Sequence, residues 1–193
     1  MNEFSLVCRL LGTLFNRAPD DEVVVPLLAM IQQGKLKPHW PLEQDALLER
    51  LQRSVDASAL AADYHALFIE QGGSVSPWRS SYIEDGTEET VRVFLQQRGM
   101  PLKDGAVDHF GALLLAASWL EDQAQEDESA AQLALFDEFL LPWSGRFLGK
   151  VESHATTAFY RTLAVLTREA LDALREDLAD EDEEEQNASN SDE

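Results

Sequence analysis

An acidic residue and an imidazole stand side by side at Asp108 and His109, at the start of the most apolar segment, DHFGALLLAASWL. A carboxylate beside an imidazole can perform acid–base catalysis, which would suit a small acidic hydrolase or a nucleotide-binding enzyme. The alternative is structural, since an Asp before an apolar helix commonly caps its N-terminus. Gly111 and Ala112, on the same helix face, are small and predict a shallow, open surface beside Asp108. Both interpretations stay open.

The other histidines and the single cysteine do not have the spacing of a catalytic or metal site. His39, His65 and His154 have neither a second histidine nor a carboxylate at H-E-x-x-H spacing, and one cysteine cannot form a thiolate zinc site. The sequence contains no G-x-S-x-G motif, no P-loop and no dinucleotide-binding fingerprint. Outside the Asp108–His109 pair we therefore predict no catalytic residue, and we predict no metal and no cofactor.

A second candidate site is the segment 74–86, SVSPWRSSYIEDG, which interrupts an otherwise helical sequence. A loop of this length is unusual unless it has a function. An exposed aromatic beside a guanidinium and several hydroxyls, as in Trp78, Arg79 and Ser80, is typical of a recognition surface. The alternative is that Trp78 and Tyr82 fill the core beneath the loop. The residues alone favour neither interpretation.

The rest of the chain must position these two segments, and its apolar spacing predicts helices with no convincing strand. The segment 108–120 is apolar on two faces and should lie at the centre. We predict a single all-α domain, a helical bundle over residues 1–178. The predicted helices cover residues 3–16, about 20–34, 41–53, 57–70, 87–99, 108–120, about 127–141 with a break or kink at LPW, and 155 to about 178.

The formal net charge is −21, and residues 179–193 hold eight acidic residues and no basic one. This tail has almost no apolar surface to bury, so we predict that it is disordered. Such acidity opposes binding to nucleic acid or anionic membranes and favours basic partners. No apolar run is long enough for a membrane span, Arg9 interrupts the N-terminal apolar run, and the lone Cys8 predicts a buried thiol. These features predict a cytoplasmic protein.

Taken together, four separated motifs resemble the TorD/DmsD/NarJ family of redox enzyme maturation chaperones. The motifs are Y-x-x-L-F at 64–68, P-W-x-S-x-Y at 77–82, D-H-x-G at 108–111, and LLPWSGRFLGKV at 140–151, which is similar to the family's L-x-P-W-x-x-x-F segment. The resemblance covers residues 4–175 and is greatest to the YcdY-type branch. Two positions depart from the family: Val107 stands where many relatives have proline, and Arg79 stands where small or acidic residues are frequent.

The resemblance implies a cytoplasmic all-helical chaperone without enzymatic activity, either a monomer or a domain-swapped dimer. Its implied client is an apo-metalloenzyme, commonly a molybdenum-cofactor oxidoreductase or its twin-arginine signal peptide; the YcdY-type branch implies a zinc-dependent PHP-type phosphatase as an alternative. A cation at Arg79 would oppose a twin-arginine ligand. Carried over by motif, the client-binding residues are Pro77, Trp78, Ser80, Tyr82, Asp108 and His109, and Tyr64 and Phe68 support the loop from below.

Overall fold

The computed structural model describes residues 2–123 and 128–191, and every regular element in this part of the chain is helical. The predicted all-α, single-domain fold is therefore confirmed. The α-helices of this part are α1 (Glu3–Asn16), α2 (Val24–Gln32), α3 (Asp45–Arg53), α4 (Ala57–Tyr64), α5 (Glu88–Gln97), α6 (Phe110–Gln123), α7 (Glu128–Ala134), α8 (Leu141–His154) and α9 (Ala158–Ser191). Two π-helical segments, His65–Ile69 and Leu135–Leu140, directly follow α4 and α7.

The predicted break at LPW lies where the π-helical segment ends at Leu140 and α8 begins at Leu141. Pro142 lies in the first turn of α8, where its missing N–H would have no partner within the helix. The preceding segment is π-helical, and Trp143 is fully buried with its indole N–H donating to the Phe139 carbonyl at 2.6 Å. A proline that looks like a helix breaker is here a helix starter.

The central contact of the fold is the close crossing of α1 and α6, and it depends on two glycines. A Cβ atom built on Gly111 would lie 2.6 Å from the backbone nitrogen of Asn16, and one built on Gly12 would lie 2.9 Å from the Gly111 carbonyl oxygen. Ser5 and Ser118 share a buried hydrogen bond of 2.8 Å across the same pair of helices. The prediction that Gly111 opens a groove beside Asp108 is therefore wrong, since Gly111 is buried against α1.

Replacing Gly111 with alanine is expected to lower the free energy of unfolding by about 1–3 kcal/mol, because the added methyl group overlaps backbone atoms that can move only together with α1. The matched control is Gly145→Ala in α8, where no atom lies within 4 Å of the added methyl group. Because alanine has a higher helix propensity than glycine, Gly145→Ala is expected to leave the free energy of unfolding unchanged or slightly increased. Urea unfolding of both variants measures the difference, and equal midpoints would contradict the close-crossing account.

The C-terminal segment is helical where the sequence predicts disorder. Helix α9 continues past Leu178, its last buried residue, to Ser191, so residues 179–191 form an exposed helical extension. Side chains one turn apart support it, since Gln186 donates to Asp182 at 2.7 Å and the Ser189 hydroxyl donates to the Glu185 carbonyl at 3.0 Å. Residues 192 and 193 of the predicted tail lie outside the described residues.

Candidate functional site

The first residues of the 74–86 loop are hydrogen-bonded to the π-helical segment that follows α4. The backbone N–H groups of Ser74 and Val75 donate to the carbonyls of Ala66 and Leu67, at 3.2 and 2.9 Å. A π-helical turn changes which carbonyls pair within the helix, and such turns are common near functional sites. These hydrogen bonds therefore fix the first residues of the loop to the helical segment that precedes it.

Further along the loop, a short antiparallel β-bridge joins it to the start of α6. The backbone N–H of Arg79 donates to the Asp108 carbonyl at 3.1 Å, and that of Phe110 donates to the Pro77 carbonyl at 2.9 Å. The bridge places Trp78 beside His109, with ring centroids 5.1 Å apart and nearly perpendicular planes. The two candidate segments found in the sequence thus lie together in space.

Asp108 holds the loop and does not cap α6. Asp108 is 1% exposed, and its Oδ2 accepts a hydrogen bond from the backbone N–H of Ser80 at 3.0 Å. The first turn of α6 is capped instead by His109, whose Nδ1 accepts the Gly111 N–H at 3.0 Å. The prediction that Asp108 caps the helix is therefore wrong, and the capping residue is its neighbour His109.

His109 is held in its neutral form. Burial lowers its pKa from 6.5 to about 4, although the nearby Asp108 carboxylate acts in the opposite direction. The neutral ring agrees with the Nδ1 acceptor role at the start of α6, because a protonated imidazole has no free lone pair. At neutral pH His109 is therefore an uncharged aromatic partner of Trp78.

This shift predicts a loss of stability in mild acid. The folded-state pKa lies below the unfolded value, so the contribution of neutral His109 is present above about pH 6.5 and is lost as the pH falls towards 4. Between pH 7 and pH 5 the unfolding free energy should fall by about 2 kcal/mol from this residue alone. Urea titrations at both pH values check this. His109→Gln should lose that part of the dependence, whereas substitution of the exposed His154 should keep it.

Trp78 is the exposed member of the group, with 37% of its surface accessible. Ser80 is also exposed, while Pro77 and Arg79 on either side of Trp78 are buried. The chain therefore alternates, at Pro77, Trp78, Arg79 and Ser80, between residues that fix the loop and residues that face outward. Of the predicted binding residues, Trp78 and Ser80 are exposed, and Tyr82 and His109 are half-buried.

Tyr82 fixes the far end of the loop to α8. Its hydroxyl donates to the Ser76 carbonyl at 2.8 Å, and its ring lies 5.3 Å from that of Trp143. Arg146 donates from Nη2 to the Tyr82 carbonyl at 2.9 Å, and the Lys150 ammonium lies 5.0 Å from the centre of the Tyr82 ring. The two α8 cations were not identified from the sequence, although they belong to the quoted segment LLPWSGRFLGKV.

Tyr64 and Phe68 lie beneath this assembly. The Tyr64 hydroxyl donates to the Phe15 carbonyl at 2.8 Å, and its ring contacts Phe68 with centroids 5.0 Å apart. Phe68 and Tyr82 both pack against Phe147, at 6.1 and 6.5 Å. An aromatic layer centred on Phe147 therefore connects the helix before the loop with the end of the loop.

The segment before Asp108 is held by an ion pair on α5. Glu88 and Arg92 pair at 2.7 Å, and Glu88 also accepts the backbone N–H of Val107 at 3.2 Å. Arg92 donates in addition to the carbonyls of Lys103 and Gly105. The family's proline at position 107 would lack the N–H that Glu88 accepts here. Glu88 and Arg92 are positioning residues that sequence reasoning did not identify, because their partners in the segment before Asp108 are backbone atoms.

Arg79 has an unusual environment. It is 8% exposed, and its Nε and Nη1 atoms have no hydrogen-bond partner among the described residues. Its guanidinium carbon lies 5.0 Å from the centre of the Phe139 ring, on the second π-helical segment. Burial lowers the pKa of Arg79, while the negative charges of Asp108 and Glu138 act to raise it. The sequence marked this residue as a departure from the family but gave no sign of its burial.

Over residues 2–123 and 128–191, no group of three or more His, Cys, Asp or Glu side chains is arranged to hold a metal ion. No helix within those same ranges is both long enough and apolar enough to cross a bilayer.

Comparison with known proteins gives a consistent result. The sequence profile of the nitrate reductase delta subunit family matches residues 33–149, which include the 74–86 loop and Asp108–His109. The chain is 58% identical to the chaperone protein YcdY of Escherichia coli (strain K12), over 95% of this chain and 100% of that relative. It is 30% identical to the Tat proofreading chaperone DmsD of Salmonella typhi, over 86% of both chains. It is 26% identical to the chaperone protein TorD of Shewanella sp. (strain ANA-3), over 84% of this chain and 88% of the relative.

These matches confirm the predicted resemblance and decide between the two classes of function. The relatives are named as chaperones, which are not enzymes, so the hydrolase interpretation of Asp108 and His109 is set aside. The buried, hydrogen-bonded state of Asp108 agrees with this outcome. The chain belongs to the nitrate reductase delta subunit family and is, like its relatives YcdY, DmsD and TorD, a chaperone.

Proposed function

We propose that this chaperone acts in the cytoplasm, where it binds an apo-metalloenzyme through the 74–86 loop and the start of α6 and assists its maturation. The observation that carries the proposal is an exposed Trp78 on a loop that is fixed at three places. These are the π-helical segment after α4, the bridge to His109 and the contact of Tyr82 with α8. A large exposed aromatic on a rigid support is the usual composition of a binding hot spot.

The physical advantage of this arrangement is preorganisation. Ordering a flexible loop on binding costs conformational entropy, whereas a loop already held by backbone hydrogen bonds costs little. Trp78 offers a broad apolar face to a client side chain, with the Ser80 hydroxyl and the His109 ring beside it. Pro77, Tyr82 and Asp108 contribute by fixing this surface, and Tyr64 and Phe68 support it from the aromatic layer below.

The client we propose is a redox enzyme of the molybdenum-cofactor type. The names of the relatives support this class, since the matched family is that of a nitrate reductase subunit and DmsD is named a Tat proofreading chaperone. We propose the enzyme or its twin-arginine signal peptide as the ligand, because the loop is flanked both by the cations Arg146 and Lys150 and by the exposed acids Glu84 and Asp85. The second candidate client is a PHP-type zinc phosphatase, which the resemblance to the YcdY-type branch implies.

Affinity capture tests the proposal. The tagged chain is expressed in its native host, and captured proteins are identified by mass spectrometry. We expect the wild-type chain to enrich one metalloenzyme, and Trp78→Ala to reduce its recovery by about tenfold or more without lowering the thermal midpoint. The matched control is Val25→Ala, which truncates another exposed apolar side chain on α2. Equal recovery with all three proteins would contradict the proposed surface.

A further inference from the structure

An open groove of about 350 Å³ lies between α3, α8 and the first turns of α9. Its lining includes the half-buried apolar side chains of Leu47 and Val165 and the exposed cations Arg50 and Arg161. None of its lining residues belongs to the 74–86 loop or to the start of α6. The groove is therefore a second surface, distinct from the one proposed to bind the client.

The two arginines of this groove have no acidic partner. Neither forms an ion pair within residues 2–123 and 128–191, although the whole chain holds 36 acidic and only 15 basic residues. On a helix surface the nearest side chains stand three and four residues away. At those positions neither arginine has an acid: the neighbours are Ala46, Leu47, Arg53 and Ser54 for Arg50, and Thr157, Ala158, Ala164 and Val165 for Arg161. Two accessible guanidinium groups are therefore free to bind carboxylates.

The acidic residues closest to the groove are already paired with other cations. Glu152 lines the groove, and its carboxylate contacts Arg168 at 3.2 Å. On α3, Glu49 and Asp45 both face Lys37, at 2.8 and 3.9 Å. These ion pairs offset the negative charges beside the groove. The groove therefore offers net positive charge next to apolar side chains, which suits an acidic protein segment.

The helical extension 179–191 carries the complementary charge. Asp180, Glu183 and Glu184 stand three and four residues apart, so their carboxylates share one face of α9. All three are exposed, and within the described residues their side chains make no ion pair and no hydrogen bond. Glu185, by contrast, accepts a hydrogen bond from α7 at 3.2 Å. An unpaired acidic face of the extension is therefore open to solvent.

The extension cannot reach the groove of its own chain. Both are parts of α9, one continuous helix from Ala158 to Ser191. Arg161 in the groove and Glu183 in the extension are roughly 33 Å apart along the helix axis, at the usual rise per residue. An acidic extension bound in this groove must therefore come from another copy of the chain.

We infer that the groove of α3, α8 and α9 binds the acidic extension of a second copy of this chain, whose own groove binds the extension of the first. The resulting dimer has two-fold symmetry and two identical contacts, with the two α9 helices antiparallel. Arginine and carboxylate groups form short charge-assisted hydrogen bonds across each contact. At physiological ionic strength the Debye length is about 8 Å, so these close contacts persist while repulsion between the net charges of the two copies is largely screened.

Charge reversal tests this dimer. Sedimentation velocity of the full chain at physiological ionic strength is expected to show a dimer whose fraction rises with protein concentration. The groove variant Arg50→Glu/Arg161→Glu and the extension variant Glu183→Lys/Glu184→Lys should each weaken the dimer about tenfold or more, because like charges then meet at both contacts. An equimolar mixture of the two variants should restore the dimer, because each groove again meets an extension of opposite charge.

The matched control for net charge is Arg9→Glu/Lys103→Glu, which reverses two exposed cations outside the groove and should leave the dimer at the wild-type level. All the altered side chains are exposed, so each variant should keep the wild-type thermal midpoint. A wild-type chain that stays monomeric at every concentration would overturn the inference. So would a dimer that neither the groove variant nor the extension variant weakens, or a mixture of the two that stays monomeric.

Discussion

Replacing Phe147 with alanine is expected to lower the free energy of unfolding by about 3–5 kcal/mol. Phe147 is fully buried in α8, and its ring lies 4.6–6.5 Å from five other aromatic rings. These rings come from α1, the π-helical segment after α4, the 74–86 loop, α6 and α8: Phe15, Phe68, Tyr82, Phe110 and Trp143. A cavity at this point cannot close by moving one side chain, because each wall belongs to a different element.

Urea unfolding measures this effect, and Phe147→Leu is the matched variant. Leucine fills much of the volume without the ring contacts, so its loss should be clearly smaller than that of alanine. The same variants should loosen the 74–86 loop, because Phe68 and Tyr82 both rest on Phe147. A loss below about 1 kcal/mol for Phe147→Ala would show that the aromatic layer is not the support of the loop.

Replacing Asp108 with alanine is expected to cost about 2–4 kcal/mol of stability and to weaken client binding. The change removes the acceptor of the Ser80 N–H. It also removes the carboxylate whose charge acts most strongly on the buried Arg79. The loop would lose its side-chain attachment to the start of α6, so Trp78 would no longer be held in one position. Thermal unfolding and client capture, measured on the same preparation, report the two effects.

The separate roles of the Asp108 carboxylate can be resolved. Asp108→Asn keeps an acceptor for the Ser80 N–H but not the charge, and it should lose about half as much stability as alanine. Asp104→Ala removes an exposed carboxylate in the segment just before Asp108 and should be neutral. If Asp108→Ala proved as stable as Asp104→Ala, the contact with Ser80 would have no part in fixing the loop.

Much of the fold follows from local patterns in the sequence. The helical spacing of apolar residues predicts where α1, α4, α5 and α6 begin to within a few residues, because apolar side chains recur in each at three- and four-residue intervals. The burial of Cys8 among leucines also follows from such a pattern. The break at LPW could be predicted because Pro142 fits the first turn of a new helix. The helical state of residues 179–191 could not, since an acidic run is compatible with both disorder and exposed helix.

The residues of the candidate site could be predicted from the sequence, but the contacts that position them could not. The motifs bring together Trp78 and His109, which the structure joins by a backbone bridge. Nothing in the local pattern distinguishes an Asp that caps a helix from one that binds a distant N–H, as Asp108 does. The same holds for Gly111, whose partner is α1, and for Arg79, whose burial depends on Phe139 more than fifty residues away. These are tertiary contacts, and residue type alone does not specify them.

The most direct test of the central claim is site-specific photo-crosslinking within the complex with the captured client. A photoreactive phenylalanine analogue is introduced at Trp78 or Ser80 on the loop, and at Val25 and Val93 as exposed control positions on α2 and α5. The account predicts that the analogue at positions 78 and 80 crosslinks to the client, and that the controls do not. Crosslinks from the control positions with none from the loop would contradict it.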